Sequence, residues 1–159
     1  MQQMDELRRI VARLRAPDGC PWDREQTHES LKAPVIEEAA EVVCAINILK
    51  EEGTADNLRE ELGDLLLQVV MHAQIAEEEG LFRLEDVIED ISRKMIRRHP
   101  HVFGEEHAGT SGEVLERWEE IKKQEKAGKD LLEKRYLGPA FGEARELIGR
   151  AERRKGLGT

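Results

Sequence analysis

Apolar residues recur along this chain at intervals of three and four, a spacing that predicts one helix after another. From Met4 to Arg15, Leu7, Ile10, Val11 and Leu14 fall on one stripe. Asp5 and Glu6 open that stretch and Arg13 and Arg15 close it, matching the helix dipole, and Pro17-Asp18-Gly19 ends it. The next helix is expected from about Ser30 to Glu51, with Pro34 in a first-turn position where its missing N–H costs little. Val35, Ala39, Val42, Val43, Ile46 and Leu49 form its apolar side. Gly53 to Asp56 reads as a turn, with Thr54 or Asp56 as N-cap. The stretch from about Asn57 to Glu79 is apolar around much of its circumference, which marks a central helix or one covered again at a subunit interface. Further helices are expected over residues 84–98, stopped by Pro100; from Thr110, which has capping-box spacing to Glu113, through Lys122; and from Phe141 to Arg154. Cys20 to Thr27, His99 to Gly112 and Lys155 to Thr159 read as irregular, the last as frayed. With no β-branched strand-like runs, the expected fold is all-α.

The bulk properties narrow the class. A chain of 159 residues fits one domain with a real core. A formal charge of −9 argues against binding a nucleic-acid backbone, which relies on clustered cations. It leaves a phosphorylated small molecule open, because a bound metal inverts the local sign. Two cysteines, Cys20 and Cys44, without metal-type spacing point to a reducing compartment. No stretch is long and apolar enough to span a membrane, and Met1 to Arg15 has no signal-peptide apolar centre, so a cytoplasmic protein is expected.

Against this helical background, some positions carry acids where a core-facing helix would carry Leu or Val. Glu38 and Glu41 stand three positions apart, as do Glu61 and Asp64, so each pair shares a helix face. Ala39-Ala40 and Val42-Val43 flank Glu41, Asp64 precedes three leucines, and Gly63 removes a side chain where a close approach is expected. Such acids on most helices form a solvated face. Converging between packed helices they repel, carry a large desolvation cost, and call for a cation. Carboxylate-only ligation suits a hard ion, Mg²⁺ or Mn²⁺, and four acids carry enough charge for more than one. Gln68 and His72 continue the Glu61–Asp64 seam.

Other features are candidates for binding. Trp22 either caps the core or stacks on a planar ligand. Lys94 and Arg98 lie one turn apart and suit either the helix dipole or a phosphate clamp. Trp118 and Lys122 set an aromatic face beside a cation. Zinc ligation by the histidines near His99 fits no strong spacing, and a di-iron bundle would want Glu-x-x-His pairs on core helices, where only Glu25–His28 has that spacing. A non-catalytic interaction module, with the acids as a regulatory face, is the rival from another class.

Cys20-Pro21-Trp22-Asp23, Glu37-Glu38-x-x-Glu41, Glu61-x-x-Asp64, Arg97-Arg98-His99-Pro100-His101-Val102-Phe103 and Trp118-Glu119-x-Ile121-Lys122 follow one another in order. Together they resemble the MazG family of nucleoside triphosphate pyrophosphohydrolases, within the all-α NTP pyrophosphatases, over residues 1–126. The resemblance implies a helical bundle completed as a homodimer or dimer of dimers, and Mg²⁺-dependent cleavage of an NTP to NMP and pyrophosphate. It implies metal ligation by Glu38, Glu41, Glu61 and Asp64, with Glu37 as an outer residue or a water-orienting base. It places Lys94, Arg98, Trp118 and Lys122, with Trp22 as a further stacking candidate, on the nucleotide and its phosphates. A housecleaning enzyme selective for one modified or deoxy nucleotide fits the same motifs. Many members carry a second, similar domain; here residues 127–159 hold no second Glu-Glu-x-x-Glu set and read as a helical tail.

Overall fold

A computed structural model of the chain describes residues 2–158; Met1 and Thr159, the outermost residues of the stretches read above, lie outside the described residues. Among the described residues there are eight helices: α1 (Gln2–Arg15), α2 (Pro21–Glu25), α3 (Lys32–Glu52), α4 (Asp56–Glu78), α5 (Leu84–Arg98), α6 (Pro100–Phe103), α7 (Ser111–Lys126) and α8 (Asp130–Arg154). No strand occurs among the described residues, so the fold is all-α. The chain divides into two compact units: residues up to Leu84 together with those from Gly142 onward, and Glu85–Phe141.

In the first unit α3 turns back on α4 through a short connection, in which Gly53 takes a left-handed φ of 74° and its N–H caps Leu49. The N-cap of α4 is Ala55, with no side-chain cap, so neither Thr54 nor Asp56 fills the role expected of it; Asp56 instead lies in the first turn, where its charge meets the dipole. The core joins Val11 of α1, Leu31, and Val70, Met71, Ala73 and Ile75 of α4 to Leu84, with Met4, Leu7 and Leu67 packed against it. Burying each such large aliphatic side chain is worth about 1.5–3 kcal/mol. Arg15 ties the helices together. Its guanidinium donates to Glu78 at 2.8 Å and to the Gln26 carbonyl at 3.0 Å, fixing α1 to α4 and to the segment after α2. Gly19 makes the turn after α1 possible, because a Cβ there would lie 2.3 Å from the Leu14 carbonyl oxygen.

One face of the hairpin stays uncovered in a single chain. Val43 and Ile46 on α3 and Leu62, Leu66 and Val69 on α4 are exposed. These residues make α4 apolar nearly all round, while only its other side enters the core.

In the second unit Thr110 caps α7, accepting from the Glu113 N–H at 3.3 Å, while Glu113 accepts from the Gly109 N–H at 2.8 Å. Arg98 donates to Glu125 at 2.8 Å, and Arg97 binds the same carboxylate, joining α5 to α7. Three stretches are more helical than the sequence pattern predicts. Cys20 to Thr27 contains α2, started by Pro21 at its first position, and α6 likewise starts at Pro100. α8 begins at Asp130 and carries Pro139 inside it, so the Gly138-Pro139 pair does not delay it to Phe141.

A candidate metal centre

The hairpin of α3 and α4 brings the two acidic faces together. Glu38, Glu61 and Asp64 each offer a carboxylate oxygen, and these oxygens all lie within 4.8 Å of one another. Glu38 Oε2 is buried with no hydrogen-bond partner among the described residues. Glu41 lies close to Glu38 and Glu61, and its carboxylate accepts from the ammonium of Lys155, just beyond α8.

The electrostatics follow from this crowding. Burial, then the adjacent Glu41 carboxyl, then the charges of Asp64 and Glu61 push the Glu38 carboxyl up to about 7. Glu61 is raised by burial and by the charges of Glu41 and Asp64. Lys155 is the main reason that Glu41 is held below the usual carboxylate range. Lys155 answers the charge of Glu41 alone, and burial together with the neighbouring acids favours the protonated form of Glu38.

The donors suit a hard divalent ion. Two oxygens on one Mg²⁺ at about 2.1 Å stand about 3.0 Å apart when adjacent and about 4.2 Å when opposite. Three ligands on one such ion include at least two adjacent pairs, so a triad within 4.8 Å needs to close by at most about 1.8 Å, and the orphaned oxygen of Glu38 would gain a partner.

Of the other residues singled out by the sequence, Glu37 lies beside the triad and its carboxylate binds Arg154. Gly63 does not serve a close approach within the chain, since a Cβ there would meet nothing within 4 Å. Gln68 is buried with its Oε1 unpartnered among the described residues. His72 ends the seam on His28, Nδ1 to Nδ1 at 2.8 Å with the rings parallel. The other ring nitrogen of His28, Nε2, lies 3.6 Å from the Glu79 carboxylate. His99 is bonded to the Met95 carbonyl at 2.7 Å, and the histidines around it form no metal-sized group among the described residues. Trp22 is 62% exposed on α2.

The second unit holds its own aromatic and cationic cluster. The Arg98 guanidinium lies 5.5 Å from the Trp118 ring centroid and the Lys122 ammonium 5.8 Å from it. Trp118 Nε1 is buried without a hydrogen-bond partner among the described residues. Lys94 is half-buried one turn before Arg98 on α5. Glu125, the carboxylate that holds Arg98, is drawn down to about 2 by Arg97 and then Arg98.

Arg154 and Lys155 are the residues that sequence reasoning missed. In the sequence they are a basic end to the last helix, a sufficient job by itself, and only the fold reveals their acidic partners.

The family model for the MazG nucleotide pyrophosphohydrolase domain matches residues 26–103, a span that contains every acid of the cluster. The chain belongs to the MazG family. It is 50% identical over 146 residues to the nucleoside triphosphate pyrophosphohydrolase/pyrophosphatase MazG of Thermotoga maritima, covering 90% of this chain and 54% of that one. It is 52% identical over 130 residues to the nucleoside triphosphate pyrophosphohydrolase of Escherichia coli K12, covering 81% and 48%. A Bacillus subtilis relative, uncharacterized protein YabN, is 53% identical over 124 residues, which make up 78% of this chain and 24% of that one. The chain thus spans about half the length of the first two relatives and about a quarter of the third. Lys94 and Arg98 fall inside the MazG match; Trp22, Trp118 and Lys122 fall outside it.

Proposed function

We propose that the chain is a divalent-cation-dependent nucleoside triphosphate pyrophosphohydrolase, cleaving an NTP or dNTP to NMP or dNMP and pyrophosphate. The observation that carries this reading is the meeting of Glu38, Glu61 and Asp64, with one buried carboxylate oxygen of Glu38 unpartnered among the described residues. The names of the Thermotoga maritima and Escherichia coli relatives support the substrate class.

Glu38, Glu41, Glu61 and Asp64 would hold the cation, Mg²⁺ by its preference for carboxylate oxygen, with Mn²⁺ as a substitute. When bound, such an ion supplies Lewis acidity toward water and phosphate oxygens. Glu37, once free of Arg154, is a carboxylate able to orient a water or take its proton, or to serve as an outer partner of the ligands. Water adds to the α-phosphorus and pyrophosphate leaves. In the second unit, Trp118 offers a stacking face with little base discrimination, and Lys94, Arg98 and Lys122 offer cations for phosphate oxygens. Trp22 is a further stacking surface.

Residues 1–126 form the catalytic domain in this reading, and residues 127–159 its helical tail. A second copy of the chain would cover the exposed face of α3 and α4, giving a homodimer or dimer of dimers, and the cell compartment would be the cytoplasm. The test is a panel of NTPs and dNTPs, with Mg²⁺ and with a chelator, assayed for pyrophosphate against orthophosphate. Mg²⁺-dependent pyrophosphate release is expected; the rival, a non-catalytic helical module, yields neither product.

A further inference from the structure

Arg154 and Lys155 close the end of α8 onto the acidic face of α3, Arg154 donating to Glu37 and Lys155 to Glu41. Together they carry the formal charge of one divalent cation. Lys32 of α3 also pairs with Glu143, at 3.1 Å, so α8 is tied to α3 by ion pairs at two levels.

What lies between the two helices is open space. A cavity of about 360 Å³ separates Ile36, Ala40 and Cys44 of α3 from Ile148, Ala151 and Leu157 of the tail. Leu157 is 75% exposed. The tail is therefore held by charge and only loosely by packing, and partly exposed ion pairs contribute little and are screened by salt. Releasing it costs correspondingly little.

We propose that the segment around Arg154 and Lys155 is an autoinhibitory strap that competes with the divalent cation for the acidic face, so that metal loading and release of the tail are one event. This rests on the reading of the acids as a metal site. Glu41 cannot give its charge to Lys155 and to a metal at full strength in each case. The cation that satisfies the triad also draws on Glu41 and weakens the hold on Lys155. The freed tail uncovers Glu37.

The test is a Mn²⁺ titration of the full chain, by calorimetry and by the electron-spin signal of free Mn²⁺. Lys155→Ala is expected to bind Mn²⁺ about fivefold more tightly than the parent chain, and Lys155→Arg to bind like the parent. Arg150→Ala removes a cation of the same helix that pairs with Glu146, and is expected to bind like the parent. Trypsin, which must grip a free basic side chain, is expected to cut after Lys155 faster in Mn²⁺ than in chelator. Equal affinity in the parent and Lys155→Ala would overturn the strap and leave the metal site standing. So would tighter binding in Arg150→Ala, which would reduce the effect to general charge. No Mn²⁺ binding in any of the chains would overturn the site and the strap with it.

Discussion

Glu38 on α3 offers an oxygen within 4.8 Å of one on Asp64 of α4, and no cationic side chain binds either carboxylate among the described residues. The nearest cations reach the neighbouring acids Glu37 and Glu41 instead. Uncompensated negative charge at a helix–helix contact has consequences that stability and binding measurements can read.

The first concerns pH. An unfolded chain releases the Glu38 proton near 4.5, whereas the fold holds it until about 7. Between those values the folded state keeps a proton that the unfolded state has lost, so stability falls as pH rises, then levels off above about 7. In chelator, Glu38→Gln is expected to melt close to the parent at pH 4.5 and to be more stable at pH 8, by roughly 1–2 kcal/mol after solvent screening. Thermal melts across that range check it; a gap independent of pH contradicts it.

The second concerns acid sensitivity in the other unit. Glu125 is held near 2 by Arg97 and Arg98, so its contribution to stability is present above 4.5 and is lost as pH falls toward 2. Trp118, beside Arg98, reports on it. In a Trp22→Phe background, Glu125→Gln should flatten the acid limb of the Trp118 fluorescence transition. An unchanged limb would place the acid sensitivity elsewhere.

These two sites were legible in the sequence to different degrees. The three-residue spacings on α3 and α4 put the acids on common faces, and the hairpin needed only a short turn to join them, so Glu38, Glu61 and Asp64 could be grouped before any coordinates. Capping at Thr110 and the stop at Pro100 were equally local. What was not legible depends on contacts between residues distant in sequence. Lys155 on Glu41, Glu125 between two arginines, and His28 on His72 are each set by tertiary packing of side chains whose local roles looked complete. The start of α8 was not legible either: the apolar pattern begins that helix at Phe141, whereas it begins at Asp130 and carries Pro139, which has no N–H for the backbone ladder, inside it.

The third concerns assembly. Leu62, Leu66 and Val69 make an exposed apolar stripe on α4 that a second copy would bury. Leu66→Asp is expected to lower the particle mass in size-exclusion chromatography with light scattering, with helical content unchanged. A monomeric parent, or a variant of unchanged mass, would rule that face out as the interface.

The fourth separates substrate contacts from metal contacts. Lys122→Ala should raise KM about tenfold through loss of one charge-assisted contact, while Mn²⁺ affinity stays at the parent value. Steady-state kinetics and a metal titration on the same preparation check this. A parallel loss of metal affinity would contradict the separation of roles.

The most direct measurement is a calorimetric Mg²⁺ and Mn²⁺ titration of the parent chain beside Glu61→Gln and Asp64→Asn, with circular dichroism to confirm that each remains helical. The account predicts saturable binding with proton release in the parent, and loss of at least tenfold in affinity in both variants. Binding of equal strength in all three chains would contradict it.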